Sequence, residues 1–316
     1  LNELGLDPGI DHMSAMRIIH AVENQGGKVT SFRSYCGGLP APEANTNPFG
    51  YKFSWAPRGV FLASRNAARF KWSNEERNIP GVDLFTEFHP LDVDGMAFEA
   101  YPNRDSMPYT ELYGLHDVHT MYRGTLRNDG WCKTMKTLVD LGYLDLVEKD
   151  YKANTYAELL REMIDSPEGD IRKAAADKVG MPEDHFVFDR MEWLGLFSND
   201  PLPAVNTALD FFAEKCFEKL QFEAGERDMV VLHHIFEADF AGEKREMTST
   251  LVDFGQSDDQ SAMARTVSLP AAIGAKMILQ GKINLTGVHI PVHPEIYNPI
   301  LDELEKLNIK CVEKGV

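Results

Sequence analysis

The feature that most constrains the fold is a change in hydrophobic periodicity along the chain. Between residues 128 and 205, four segments place apolar residues at helical spacing: CKTMKTLVDLGYL, TYAELLREMIDS, DIRKAAADKVG and DRMEWLGLF. On either side, helical and strand-like segments alternate. The pattern predicts an α/β (α+β) protein in which helices flank a mixed β-sheet. Residues 1–127 and 206–316 would form the α/β domain, and residues 128–205 an inserted all-helical domain.

The segments outside the insertion carry clear end signals. Asp7, Pro8 and the Gly26–Gly27 pair predict a helix over residues 7–27 with Asp7 as its cap. The run KVTSFRSYC then predicts a strand. Two later runs, DMVVLHHIFEADF and REMTSTLVDFG, predict a β-hairpin closed by AGEK. Two helices are predicted near the C-terminus, SAMARTVSLPAAIGAKMILQGK, with an interruption at Pro270, and PEIYNPILDELEKLN.

Composition argues against several classes of function. The chain has 32 Lys and Arg against 49 Asp and Glu, a net charge of −17, which argues against general nucleic-acid binding. Its apolar runs are shorter than a membrane span, so we expect no transmembrane helix. Its four cysteines lack CxxC spacing, so we expect no disulfide framework and no metal site. We therefore expect a reduced, intracellular protein that binds anions only through a local cluster of basic residues.

Two stretches near the N-terminus could carry chemistry. In LDPGIDH, Asp7 lies at the start of a helix, where it could face a ligand or serve only as a cap. In SYCGGLPAPEANTNPFGYKFSW, Cys36 precedes Gly37 and Gly38, which let a backbone approach a ligand closely. Cys36 could be a nucleophile, a proton relay or a small polar wall. The nucleophile is disfavoured because no neighbouring base would activate it, and a buried structural cysteine is the common case.

Three arginines lie in two turn-like motifs. Arg104 lies in AYPNRDS, and Arg123 and Arg127 lie in YRGTLRNDGW. Guanidinium groups suit bidentate recognition of carboxylates, although solvated surface arginines are an equal alternative. If a helix begins in the second motif, Arg123 would oppose its dipole unless an anion is shared. The His233–His234 pair lies in a strand pattern, so its two rings should face opposite sides of the sheet and a structural role is favoured.

The sequence carries no nucleotide-binding fingerprint. Neither GxGxxG after a first strand nor GxxxxGK[ST] occurs, and the YCGG stretch fits neither pattern. From its own residues, the chain is not predicted to contain a dinucleotide-binding domain.

Six blocks in the chain nevertheless resemble a known family. They are NELGLDPGIDHMSAM, SYCGGLPAPEANTNPFGYKFSW, AYPNRDS, YRGTLR, EWLGLF and SAMARTV, in this order from Leu1 to about Ile278. Together they resemble the glutamate-forming saccharopine dehydrogenase (saccharopine reductase) family, which also forms the C-terminal part of the bifunctional aminoadipic semialdehyde synthase. One departure lies at GQSDDQSAMA, where members of the family carry more glycine.

The resemblance implies an architecture. It implies a Rossmann domain for NADP(H), or for NAD(H), ahead of an α/β substrate-binding domain with a helical insertion. It also implies a homodimer whose subunits pair through the α/β sheet. The Rossmann domain is missing before LNELG, so we expect this chain to be part of a longer polypeptide, inactive alone. The resemblance further implies a cytoplasmic location, or a mitochondrial one if the protein is of the bifunctional animal type.

The resemblance also implies a reaction and a site. The reaction is the reversible NADP-dependent conversion of saccharopine to 2-aminoadipate 6-semialdehyde and L-glutamate, a step of lysine biosynthesis or degradation. Asp7 and Cys36 match the active-site residues of the family, with Asp7 stabilising a cationic nitrogen and Cys36 tuning polarity. The implied substrate-binding residues are Arg104, Arg123, Gly37, Gly38 and Trp55.

Two alternatives remain open. The chain could belong to a related imine-reducing enzyme, similar to carboxynorspermidine synthase, although Arg104 with Arg123 suits a tricarboxylate amino acid better. It could also be a non-catalytic fragment that binds a ligand or dimerises. The sequence does not choose between lysine synthesis and breakdown.

Overall fold

Nine strands of the described residues form one mixed β-sheet. The computed structural model describes residues 1–256 and 260–316. The strands are β1 (Lys28–Pro40), β2 (Ala68–Trp72), β3 (Glu75–Ile79), β4 (His89–Val93), β5 (Met96–Pro102), β6 (Thr120–Arg127), β7 (Asp228–Phe240), β8 (Glu243–Phe254) and β9 (Val312–Lys314). Their order is β3-β2-β6-β1-β7-β8-β9, while β4 pairs with β5 and β5 pairs with β6. The predicted fold class, a mixed sheet flanked by helices, is confirmed.

Strand β1 is central and fixes the register of the site. It runs parallel to β6 and antiparallel to β7. In the parallel register, Ser34 lies opposite Arg123 and Cys36 lies opposite Thr125. Since parallel strands end at the same edge of a sheet, the motifs SYCGG and YRGTLR meet at one place. The predicted hairpin of β7 and β8 is present, with its turn at residues 241–242.

Ten α-helices surround the sheet within the described ranges. They are α1 (Ile10–Asn24), α2 (Pro57–Ala63), α3 (Pro108–Leu112), α4 (Trp131–Asp140), α5 (Tyr156–Ile164), α6 (Ile171–Val179), α7 (Phe186–Leu194), α8 (Ala208–Lys219), α9 (Ala262–Leu279) and α10 (Pro294–Lys306). Two short 3-10 helices, Pro42–Ala44 and Gly81–Thr86, complete the structure.

Each face of the sheet is covered differently. Helices α1, α9 and α10 pack on one face, where Ile19 and Val22 meet Phe32 and Phe236 in one buried cluster. On the other face, Phe98 of β5 is buried with residues of β1 and β6. The alternation of side chains along each strand produces these two separate cores.

The helical segment forms a third buried cluster with residues that precede it. Helices α4 to α7 lie within residues 128–205, and α8 follows directly. Their shared core includes Phe49, Tyr51 and Phe61, and the rings of Tyr51 and Trp131 lie 4.8 Å apart. The proposed domain boundaries at residues 128 and 205 stay a prediction.

The predicted start of the first helix is wrong. Helix α1 begins at Ile10, and Asp7 does not cap it. The backbone N–H of Gly9 donates instead to Asp11 Oδ1 at 2.6 Å. Gly9 has φ of +151°, and a Cβ there would overlap the backbone of Gly5, so this turn requires glycine. The tight turn leaves the Asp7 side chain free for another partner.

Two other sequence interpretations are corrected. The motif YRGTLR forms strand β6 rather than the start of a helix, so Arg123 does not oppose a helix dipole. The segment RGVFLASRNAARF is only partly helical, because α2 ends at Ala63 and β2 begins at Ala68. His233 and His234 face opposite sides as predicted, since one bonds Thr250 and the other bonds Ser14 of α1. The unusual stretch GQSDDQSAMA includes residues 257–259, which lie outside the described residues.

Helix α9 is the one described helix that meets the length and composition criteria for crossing a membrane. It has 18 residues with a mean hydropathy of 1.2. This is weak evidence, because the core helices of soluble proteins meet the same criteria. Its inner side packs against β7 and α10, and Arg265 pairs with Asp253 at 3.2 Å. The absence of a transmembrane helix stays a prediction.

We predict that Glu99→Ala destabilises the protein by about 1–3 kcal/mol. The buried Glu99 carboxylate accepts the N–H groups of Gly130 and Cys132, at 2.9 and 2.7 Å, and so joins β5 to the start of α4. Its removal leaves both donors buried without a partner. The free energy of unfolding in urea measures the effect. Glu75→Ala on β3 is the control, because its side chain is exposed. Equal stability of the two variants would contradict this role.

Candidate active site

A cleft of about 510 Å³ opens on the α1 side of the sheet. It lies where the N-terminal segment, the end of β6 and the turn at residues 103–105 meet. The charged residues that line it are Glu3, Asp7, Arg104, Asp105, Arg123 and Arg127. The cleft therefore brings together three basic and three acidic side chains in a strongly acidic protein.

Strand β6 supplies one wall because its side chains alternate. Arg123, Thr125 and Arg127 lie two residues apart and all line the cleft. Tyr122 and Leu126 occupy the alternate positions of the strand and are buried in the core on the opposite face. If YRGTLR had been predicted to form a strand, both of its arginines would have been expected on the same face of the sheet.

Arg123 joins two acidic residues of the N-terminal turn. Its Nη2 donates to the carboxylate of Asp7 and, at 3.1 Å, to Asp11 Oδ2. The ring of Tyr109 lies against the guanidinium, with its centroid 4.2 Å from Cζ. Asp11 is enclosed, whereas the Asp7 side chain is 17% exposed and lines the cleft. Asp7 is thus the carboxylate of this pair that a ligand can reach.

The two carboxylates have opposite electrostatic environments. Burial raises the pKa of Asp7 to about 6, with Arg123 opposing the shift and Asp11 adding to it. Burial also acts on Asp11, but nearby His12, Arg123 and the Gly9 N–H together lower its pKa. Asp11 therefore carries the permanent negative charge that holds Arg123, and Asp7 is the group that titrates.

Arg127 lines the cleft, although the sequence analysis considered it only as one of three arginines and did not name it as a substrate-binding residue. It is 5% exposed and its Nη1 donates to its neighbour's carbonyl, Leu126 O, at 2.8 Å. The rings of Tyr51 and Trp131 lie 4.9 and 5.4 Å from its Cζ. Among the described residues, no carboxylate forms an ion pair with it, and its Nε has no hydrogen-bond partner. A buried cation without an acidic partner is a natural site for an anionic ligand.

Arg104 faces the cleft from an exposed turn. Its backbone has φ of +52°, which is uncommon outside glycine and costs about 1 kcal/mol or more. The turn is fixed by hydrogen bonds from Asn103 N–H to Arg123 O and from Arg69 N–H to Arg104 O. Within residues 1–256 and 260–316, no carboxylate lies within ion-pair distance of its guanidinium. The backbone geometry therefore presents a free cation to the cleft.

Cys36 lies beside the charged cluster without lining the cleft. Burial raises the pKa of its thiol well above the ordinary value, and the charges of Asp7 and Asp11 raise it further. The thiol is therefore protonated at neutral pH. This environment is the opposite of the electropositive surroundings that activate a nucleophilic cysteine.

The remaining predicted substrate-binding residues divide into two groups. Trp55 is half-exposed and lines the cleft with Arg104 and Asp7. Gly37 and Gly38 lie further along β1 and do not line it. A Cβ at Gly37 would lie 2.8 Å from Leu126 Cβ, so this glycine permits close packing between β1 and β6. Substrate contact by these glycines stays a prediction.

Among the described residues, no group of three or more His, Cys, Asp or Glu side chains could hold a metal ion. The fold and the cleft thus define a mixed α/β protein whose candidate site combines the Arg123–Asp7–Asp11 cluster with two further arginines.

The sequence matches the saccharopine dehydrogenase C-terminal domain family over residues 5–309. The saccharopine dehydrogenase (NADP(+), L-glutamate-forming) of Pyricularia oryzae is 41% identical over 330 residues, covering 100% of this chain and 73% of the relative. The mitochondrial alpha-aminoadipic semialdehyde synthase of Bos taurus is 38% identical over 316 residues, covering 96% of this chain and 34% of that protein.

A solved structure supports the same relationship. The apo histidine-tagged saccharopine dehydrogenase (L-Glu forming) from Saccharomyces cerevisiae matches with a TM-score of 0.90 and 39% identity, covering 99% of this chain and 73% of that chain. The chain belongs to the saccharopine dehydrogenase family. The predicted family and its oxidoreductase class are confirmed.

We predict that ionisation of Asp7 makes the protein less stable as the pH rises from 4 to 7. The pKa of Asp7 is about 6 in the folded state against 3.8 for an exposed carboxyl group, so the folded state binds the proton more tightly. Relative to Asp7→Asn, the free energy of unfolding of the wild type should fall by on the order of 2 kcal/mol across this range. Unfolding free energies of both proteins at several pH values measure the difference. A gain in wild-type stability relative to Asp7→Asn over the same range would contradict the assignment.

We predict that Cys36 behaves as an unreactive thiol. Iodoacetamide should modify it more slowly than free cysteine at pH 8, because little thiolate is present. Cys36→Ser should retain activity within about one order of magnitude, since no covalent step is assigned to it. Mass spectrometry of the alkylated peptide and steady-state kinetics of the complete enzyme provide the measurements. A loss of many orders of magnitude in Cys36→Ser would refute this modest role.

Proposed function

We propose that this chain is the substrate-binding and catalytic part of a saccharopine dehydrogenase that forms L-glutamate. The reaction converts saccharopine, water and NADP⁺ into 2-aminoadipate 6-semialdehyde, L-glutamate, NADPH and a proton, and it is reversible. The observation that carries the proposal is that Arg104 and Arg127 line one cleft without an acidic partner among the described residues, in a chain of net charge −17. A neutral or cationic substrate would leave both guanidinium groups without a charge partner.

The arginines match the carboxylates of the proposed substrate. Saccharopine carries three carboxylates and two amines. Arg104 and Arg127 have no acidic partner among the described residues, so each can pair with a substrate carboxylate without breaking an existing ion pair. Arg123 already binds Asp7 and Asp11 through Nη2, so it can offer only its remaining N–H groups to a third carboxylate. The main role of Arg123 is therefore to hold Asp7 in position.

Asp7 is suited to a cationic nitrogen that changes its bonding during the reaction. The secondary amine of saccharopine is an ammonium before oxidation, and the intermediate imine is an iminium when protonated. Asp7 is reachable from the cleft, and Asp11 keeps Arg123 in place when Asp7 changes partner. With a pKa of about 6, Asp7 is ionised at pH 7 to 8 and can stabilise either cation. Cys36 adds a neutral, polarisable neighbour.

The residues of this chain do not fit a complete NADP site. The sequence lacks a Gly-rich dinucleotide fingerprint, and the described sheet is mixed rather than the parallel sheet of such a domain. The Pyricularia and Saccharomyces relatives named for NADP(+) extend beyond the matched region, which is 73% of their length. We propose that NADP(H), or less favourably NAD(H), is held mainly by residues outside this chain.

Subunit pairing and location rest on the family resemblance alone. We propose a homodimer, and a cytoplasmic location, or a mitochondrial one as in the name of the bovine relative. A related imine-reducing enzyme of the carboxynorspermidine synthase type, or a non-catalytic ligand-binding or dimerisation fragment, is less favoured. The unpaired Arg104 and Arg127 suit a substrate with several carboxylates, and activity of the complete protein distinguishes catalysis from ligand binding alone.

We predict that the chain binds saccharopine more tightly than lysine, and that Arg104→Ala weakens saccharopine binding by about 10- to 100-fold. The lost interaction is a charge-assisted hydrogen bond to a substrate carboxylate. Isothermal titration calorimetry measures both affinities. Arg245→Ala is the control, because Arg245 lies at the distant β7–β8 turn and pairs with Glu243.

Two results would contradict the proposal. Unchanged saccharopine affinity in Arg104→Ala would refute the carboxylate assignment. Failure of the complete protein to produce NADPH from saccharopine and NADP⁺ would refute the proposed reaction.

A further inference from the structure

Glu3 is an acidic residue of the cleft that has no assigned role. Its Oε2 accepts a hydrogen bond from His12 Nε2 at 2.7 Å, and its side chain remains 42% exposed on the cleft. The backbone at Glu3 has φ of +51°, a conformation that costs a non-glycine residue about 1 kcal/mol or more. The chain thus holds this carboxylate at the cleft in a strained backbone conformation.

His12 is built to hold Glu3 in one position. The ring is fully buried, and its Nδ1 bonds the hydroxyl of Tyr113 at 2.7 Å. The ring of Tyr109 stacks on it with centroids 5.7 Å apart. With both ring nitrogens bonded and one face stacked on Tyr109, the buried imidazole is held in its orientation towards Glu3. In either protonation state, Nε2–H can donate to the carboxylate.

The acidic end of the cleft has an excess of negative charge. Glu3, Asp7 and Asp11 share at most two cations, Arg123 and a protonated His12. No lysine or arginine among the described residues forms an ion pair with Glu3. The third cleft-lining acid, Asp105, is different, because Arg69 and the Met107 N–H already engage it. Glu3 and Asp7 are therefore the two carboxylates available to cationic groups of a ligand.

We propose that Glu3 binds the primary ammonium group of the amino-acid substrate, and that His12 is its positioning residue. The inference rests on the proposed function. A substrate with two amines then meets two accessible carboxylates: Asp7 takes the secondary nitrogen that reacts, and Glu3 takes the primary ammonium that does not. Arg104 and Arg127, which have no acidic partner among the described residues, take carboxylates. Glu3 would thereby determine the preference for a ligand that bears a primary amine.

The test compares two ligands in the complete protein by calorimetry. One is saccharopine, and the other is N-(5-carboxypentyl)glutamate, in which hydrogen replaces the primary amine. The wild type should prefer saccharopine by about 10- to 100-fold, the value of a charge-assisted hydrogen bond. Glu3→Gln should abolish most of this preference by weakening saccharopine binding alone. His12→Gln should reduce the same preference. The double variant should lose little more of the preference than Glu3→Gln alone.

The controls separate a local effect from misfolding. Glu111→Gln should keep the wild-type preference, because Glu111 is exposed on α3 and does not line the cleft. Glu3→Asp retains the charge on a shorter side chain, so it should keep part of the preference if Glu3→Gln fails to fold. Equal weakening of both ligands in a folded Glu3 variant, or an unchanged preference, would overturn the inference. Absence of saccharopine binding by the wild type would instead overturn the proposed function.

Discussion

The ion-pair cluster of Arg123 with Asp7 and Asp11 determines how the cleft is built. Arg123 comes from strand β6, whereas the two aspartates flank the turn that precedes helix α1. The cluster therefore ties the N-terminal segment to the centre of the sheet. The stacked ring of Tyr109 and the Gly9 N–H bond to Asp11 complete it. Without this cluster, nothing else described would hold Asp7 at the cleft in a fixed orientation.

The parallel pairing of β1 and β6 explains why distant motifs converge. Cys36 and Thr125 are 89 positions apart in the chain but lie opposite each other in the sheet. The close approach of the two strands needs glycine at position 37, where a side chain would collide with Leu126. The CGG stretch thus contributes to the site mainly because it lets β1 and β6 pack closely together.

The sequence predicted the fold class and much of the element order, but the local geometry of the site less well. Period-two and period-3.6 patterns identified the β7–β8 hairpin and the helical segment, because those patterns are set by which face is buried. They did not show that Asp7 avoids capping α1, since the cap depends on the turn at Gly9. They also did not predict that YRGTLR forms a strand. Its two arginines are buried in a polar cleft, whereas the polar residues of a typical half-buried strand face solvent. Arg127 was therefore considered only as an arginine of a turn-like motif and was not named as a substrate-binding residue.

The cleft concentrates groups that are unfavourable for folding. Arg127 is buried without an acidic partner, Asp7 has a raised pKa, and Glu3 and Arg104 adopt strained backbone conformations. Each of these lowers the stability of the ligand-free protein, and a random surface would not gather them in one place. A ligand with both carboxylates and amines can supply the charge partners that Arg104, Arg127 and Asp7 lack, whereas the backbone strain at Glu3 and Arg104 remains. Under the proposed function, the unpaired groups of both signs favour a zwitterionic amino acid over a simple anion.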